Sequence, residues 1–265
     1  MNLERATLIG VIGGLFAIFG GMVIKGAPLS TLANPAAFLI IIGGTAAALF
    51  NAFTMEKIKK FPTLVKLIFK KQELMPKLEL LTLFIGLSQT ARRDGLLALE
   101  NQARELNDPF LRNGLIMVID GMDVEFVKNV LHFDVDAMEE RHRDGALIFS
   151  QAGMYAPTLG VLGAVVGLIA ALGSLADIDK LGHAIAAAFV ATLLGIFTGY
   201  VIWHPFATKL KGLSKEEAEL RRMMIEGILS IQAGDSPVAV EAKLMVFVPL
   251  SERADWEKSK TTEGA

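Results

Sequence analysis

The sequence predicts an all-α integral membrane protein. It has four transmembrane helices, a helical cytoplasmic domain between the second and third, and a helical C-terminal cytoplasmic segment. Three observations carry that reading. Of 265 residues, 52% are hydrophobic and only 20% are charged, below the roughly 25% usual for soluble domains. The apolar residues gather in blocks of about 20, the length a helix rising ~1.5 Å per residue needs to cross a ~30 Å hydrocarbon core. Lys and Arg are distributed unevenly around the blocks. Of 26, 14 lie between residues 54 and 146 and nine follow Thr208, while the two short loops hold only Lys25 and Lys180. The positive-inside rule then places both termini and the large polar region in the cytoplasm.

The first block is Ala6 to Ile24, between Arg5 and Lys25, with a Gly10-xxx-Gly14 packing spacing. Glu4 beside Arg5, and a run longer than a signal-peptide core, predict a retained helix rather than a cleaved leader. A polar loop with Pro28 runs from Lys25 to Asn34. Pro35 opens the second block, because a proline in the first helical turn loses no hydrogen bond. This block extends to about Phe53 and carries a small-residue patch, Gly43, Gly44 and Thr45.

The next stretch differs in kind, with 14 basic and 15 acidic residues between 54 and 146. Its opening, MEKIKKFPTLVKLIFKK, is basic and amphipathic and is expected along the anionic inner leaflet. Pro76 to about Leu106 reads as one amphipathic helix through Leu78, Leu81, Phe84, Ile85, Leu96, Leu97 and Leu99. Asn107–Phe110 is a turn that starts the next helix. Val124, Val127, Leu131, Val135 and Met138 mark a further helix over Gly121–His142.

The third block is free of Asp, Glu, Lys, Arg and His for 32 residues, Gly145 to Ala176. As a helix it measures roughly 48 Å, so it should project beyond the bilayer on one side. Ala156/Gly160/Ala164 and Gly163/Gly167/Ala171 give small-residue spacings that let helix backbones approach closely in lipid. After a short loop, Ser174–Gly182, the fourth block runs from Ala184 to Trp203 with Gly195-xxx-Gly199, then His204 and Pro205. On the residues alone Pro205 reads as a helix terminator. A charged helix at Ser214–Ile231 with Ser214 as N-cap, a GDSP turn, a helix near Val238–Val246 and a disordered tail after Ser251 complete the expectation. The implied blocks are 1–53, 54–146, 147–207 and 208–265.

Composition also excludes. With no cysteine there is no disulfide or thiolate metal site, and His132, His142, His183 and His204 lack a metal-ligand spacing. A net charge of −2 gives no basic field for nucleic acid. No nucleophile–base pair, metal cluster or phosphate-cradling loop argues for an enzyme, and no cofactor is implied. Pumps and proton relays carry ionisable groups inside their spans. These four spans have none; their polar residues at depth are hydroxyls and amides, among them Thr45, Thr158, Thr192, Thr198, Tyr155 and Tyr200. Either another chain supplies the titrating carboxylate, or the protein is a scaffold that conducts nothing.

The runs QAGMYAPTLGVLGAVVGLIAAL, HAIAAAFVATLLGIFTGYVIWHPFATKL, ARRDGLLALE and ANPAAFLIIIGGT, in this order, resemble the MotA/PomA family of flagellar motor stator subunits, nearest its Bacillus-type members. The ExbB/TolQ energisers of envelope transport share the last two spans but usually have three spans in all. The resemblance implies a homopentamer in the bacterial inner membrane around two copies of MotB. MotB's aspartate takes up and releases the ion, and the cytoplasmic domains drive the rotor protein FliG. It implies that Pro157 gates the ion path, that Thr192 faces it, and that Pro205 is the second family proline; Tyr155 lies near the gate. Ala164 stands where sodium-driven relatives carry a threonine, so the expected ion is the proton. Arg92 and Glu100, with Arg93 adjacent, match the charged pair used against the rotor, and their separation of eight would place them two turns apart on one helix face. On residue chemistry alone, Thr192 reads as bonded to its own helix, Pro157 as a packing kink and the charges as solvated surface.

Overall fold

The computed structural model describes residues 4–173, 177–254 and 256, and among them every regular element is helical. The chain divides into two compact units, each built from two separated stretches: 1–72 with 141–213, and 73–140 with 214–265. This is not the division into consecutive blocks that composition implies. Residues 54–72 belong with the apolar helices, and two long helices supply residues to both units.

In the first unit, α1 is Arg5–Ile24 and a 3-10 turn covers Leu29–Leu32. The second apolar helix comprises α2 (Pro35–Phe38), a π turn (Leu39–Gly43) and α3 (Gly44–Ala52). Its start is as expected: Pro35 occupies the first turn, and the Asn34 side chain accepts from the Ala37 N–H at 3.1 Å. The short helices α4 (Met55–Ile58) and α5 (Phe61–Phe69) follow. The apolar face of this stretch, expected along the leaflet, packs against protein. Ile68 is fully buried, and Phe61 stacks on Phe149 at 5.1 Å. Lys57 pairs with Asp144 at 2.8 Å.

The third apolar block is part of α9, Val124–Leu172, a single helix with Pro157 inside it. The fourth comprises α10 (Ile178–Phe197), a π turn (Thr198–Trp203) and the start of α11 (His204–Gln232). The loop before it is shorter than Ser174–Gly182. Asp177 caps α10 by accepting from the Lys180 N–H at 3.1 Å, and residues 174–176 lie outside the described residues.

Two expectations fail in α11. Pro205 does not terminate the helix. Its missing N–H and its ring would disturb the i−4 carbonyl of Val201, and the widened π turn that contains Val201 absorbs this disturbance. Ser214 is consequently interior to α11 and caps nothing.

The second unit comprises α6 (Lys77–Asp94), a 3-10 turn (Leu96–Leu99), α7 (Glu100–Glu105), α8 (Pro109–Ile119), the remaining parts of α9 and α11, and α12 (Pro237–Met245). The single helix expected over Pro76–Leu106 breaks at Gly95, whose φ of +86° suits glycine. The later helices carry side-chain caps. Asp108 accepts from Leu111 N–H at 2.9 Å, and Ser236 from Ala239 N–H at 3.2 Å. The periodic set Val127, Leu131, Val135 and Met138 is buried against Phe84, Leu115 and Ile228. Of the tail expected to be disordered, Trp256 donates to Glu241 at 2.8 Å; residues 255 and 257–265 lie outside the described residues.

Candidate ion-path wall

Within the first unit α9 and α10 touch backbone to backbone. A Cβ placed on Gly195 would lie 2.7 Å from the Ala156 carbonyl oxygen and 2.8 Å from Gly160 Cα. One on Gly160 would lie 2.9 Å from both the Ala191 oxygen and Gly195 Cα. One turn further along, a Cβ on Gly199 would meet the Pro157 ring at 2.6 Å and the Gly153 oxygen at 2.9 Å. The small-residue spacings thus bring the two helices to a distance at which only glycine fits.

Pro157 lies in the middle of this crossing. Because proline has no N–H, the Gly153 carbonyl receives no hydrogen bond from it, and this carbonyl and the ring are the atoms that Gly199 faces. Sequence reasoning identified the Gly195-xxx-Gly199 spacing and Pro157, but not that Gly199 sits on Pro157. It also passed over His204, whose ring stands over Gly153, where a Cβ would approach Nδ1 and Cε1 to 2.8 Å, and lies 5.3 Å from the Tyr200 ring.

The Thr158, Thr192 and Thr198 hydroxyls donate to their own helices. Thr192 donates to the Ala188 carbonyl at 3.4 Å, Thr158 to Met154 at 3.2 Å, and Thr198 to Leu194 at 2.9 Å. This is the ordinary use of a helical threonine, and it leaves each oxygen able to accept a further hydrogen bond. Ala164 is half-buried, two turns beyond Pro157 on the same side of α9. Tyr155 packs against the apolar cluster that contains Phe149 and Phe206. Pro205 is exposed, beyond the π turn.

In the second unit, the expected pair does not share a helix. Arg92 is in the last turn of α6, Glu100 opens α7, and the Gly95 break separates them. Each sits at the helix end its charge favours. Arg93 holds Asp94 through contacts of 2.8–3.0 Å, and this guanidinium lowers the Asp94 carboxyl from its usual range. Glu100 is bound to Arg104 at 2.8 Å. Arg92 is exposed and has no ion pair among the described residues.

Comparison with known proteins agrees with this arrangement. Residues 102–223 match the MotA/TolQ/ExbB proton channel family, and residues 8–95 match the Motility protein A N-terminal family. The chain is 54% identical over 251 residues to Motility protein A of Bacillus subtilis (strain 168), covering 95% of this chain and 93% of that protein. Its fold matches a chain in the structure of the flagellar MotAB stator complex from Bacillus subtilis with a TM-score of 0.91 and 53% identity, over 96% of this chain and 99% of that one. It also matches a chain of C. jejuni MotAB with a TM-score of 0.88 and 29% identity, over 93% and 96%. With four spans, a glycine-tight crossing of the last two and end-to-end likeness to these relatives, the chain belongs to the motility protein A (MotA) family, within the MotA/TolQ/ExbB proton channel family.

Proposed function

We propose that the chain is a multi-pass inner-membrane subunit of a flagellar motor stator. With MotB it forms a proton path and converts ion-motive force into torque on the rotor. The observation that carries the role is the match to a MotAB stator chain over 96% of this chain at a TM-score of 0.91. The chemistry supports a division of labour. Among the described residues, the α9–α10 contact from Gly153 to Gly167 and from Ala188 to Gly199 holds no titratable carboxylate, so the aspartate that binds and releases the proton comes from MotB, seated within a ring of five copies of this chain. The wall contributes shape at Pro157–Gly199 and hydroxyl oxygens, such as that of Thr192, which can accept a hydrogen bond from water or a protonated carboxyl. Ala164 offers no ligand oxygen, whereas a hard cation such as sodium needs several; this favours protons. Both termini and the second unit are cytoplasmic, and Arg92, with no ion pair of its own, presents the charge to FliG. The match of residues 8–95 to the Motility protein A N-terminal family favours this reading over an ExbB/TolQ-like energiser.

The test is complementation. In a cell lacking its own stators, expression of this chain with its MotB should restore swimming. The swimming should persist when sodium is replaced by potassium and stop when the proton gradient is collapsed. Failure to restore swimming despite membrane-inserted protein would sink the stator role, and a strict sodium requirement would sink the proton assignment alone.

A further inference from the structure

A cavity of about 340 Å³ lies between the second apolar helix, α4–α5 and Trp203, inside the roughly 300–1,000 Å³ range of ligand-holding pockets. Its wall is almost wholly apolar, formed by Ile42, Leu49, Phe50, Ile58, Phe61 and Pro62. Two of its lining residues carry buried polar atoms with no hydrogen-bond partner, the Thr45 hydroxyl and the Trp203 indole N–H. Thr45 is 4% exposed. Thr82, Thr158, Thr192, Thr198 and Thr208 all donate to the carbonyl four residues back; Thr45 does not. The indole can only donate, and the hydroxyl can donate as well. Burying both without a partner is costly, so the cavity suits an apolar body that carries an acceptor oxygen.

The residues next to the wall add a charge preference. Ile58 and Phe61 bracket Lys59 and Lys60, both exposed, whereas Lys57 is held by Asp144. The α5 helix begins at Phe61 with no side-chain cap on its first turn, and uncapped helix N-termini favour phosphate.

We propose that this cavity binds an anionic phospholipid. One acyl chain lies against the apolar wall, an ester oxygen accepts from the Thr45 and Trp203 donors, and the phosphate sits by Lys59, Lys60 and the start of α5.

The chain has two tryptophans, so Trp256→Phe leaves Trp203 as its only indole, and any tryptophan of the membrane partner is replaced by phenylalanine. Full-length chain with its membrane partner, in phosphatidylcholine vesicles, is titrated with phosphatidylglycerol brominated on its acyl chains. Trp203 emission should be quenched in a saturating, salt-sensitive phase. Brominated phosphatidylcholine should need roughly 10–30-fold more for the same effect, from two lysines near the surface. Thr45→Val, nearly isosteric, should weaken the saturating phase by about 2–10-fold, and Ala46→Phe, which fills the cavity, should abolish it. Equal, non-saturating quenching by both lipids would overturn the proposal. So would a Trp203 that no brominated lipid reaches because a second copy or water occupies the cavity, or a saturating phase unchanged in Thr45→Val.

Discussion

Gly195→Ala tests whether the α9–α10 contact is as tight as its geometry requires. The added methyl would sit 2.7 Å from the Ala156 oxygen, 2.8 Å from Gly160 Cα and 3.1 Å from Gly160 N. All three are backbone atoms, so no side chain can swing aside. Carbon atoms pack best at about 3.5–4.0 Å, so relief requires the helices to separate by roughly 1 Å at that point. Overpacking of this kind costs about 1–3 kcal/mol, against a gain of up to about 1 kcal/mol in helix propensity. The expected net destabilisation is about 0–2 kcal/mol. Separation would also lift Gly199 off Pro157 one turn away, so conduction should fall further than stability. Gly86→Ala in α6 is the control, since nothing lies within 4 Å of a Cβ there, and it should be neutral or slightly stabilising. The assay is thermal unfolding of the purified complex, with swimming and proton uptake measured on the same variants. If Gly195→Ala matches Gly86→Ala in stability and swims like wild type, the reasoning from close backbone approach is refuted.

Other outcomes follow from the same structure. Pro157→Leu restores an N–H to Gly153 but sets a branched side chain against Gly199. The complex should assemble while swimming is lost, and assembly with normal swimming would remove Pro157 from the mechanism. Arg92→Glu should impair motility more than Arg93→Ala, because Arg93 is engaged by Asp94 and Arg92 has no such pair; swim-plate diameters of equally expressed variants decide it. The Asp235 carboxyl lies below its usual range because Lys243 hydrogen-bonds it at 2.7 Å, and the same contact raises Lys243. A lowered carboxyl stabilises above its unfolded value of about 3.9 and loses that contribution as pH falls through its folded value. The lysine's contribution is present below about 10.4 and disappears as pH rises through its raised value. Between pH 5 and 9 the unfolding midpoints of wild type and Asp235→Asn should therefore differ by a constant amount, and they should converge once acid has protonated the lowered carboxyl. A gap that changes near pH 7 would assign it to another group.

The four spans were legible in the sequence because a ~30 Å apolar layer requires about 20 apolar residues in a row, and no folding partner alters that count. The helix starts at Pro35 and at the Asn107–Phe110 turn were equally legible, since each is settled within a few residues of chain. Small-residue spacing in the third and fourth blocks announced close helix packing, whereas the lack of titratable groups in the spans left both a partner carboxylate and a non-conducting scaffold open. Elements that depend on distant chain were not legible. Periodicity over Pro76–Leu106 ran through Gly95 because 3-10 and α turns present similar apolar spacings; only the positive φ at Gly95 separates Arg92 from Glu100. Pro205 and Ser214 look like helix ends locally, yet a π turn before the proline keeps the helix running. The pairing of Gly199 with Pro157, the stance of His204 over Gly153 and the orphaned donors of Thr45 and Trp203 each join residues tens to more than 150 positions apart. Local propensity carries no information about such meetings; they are set when apolar faces find each other in the folded chain.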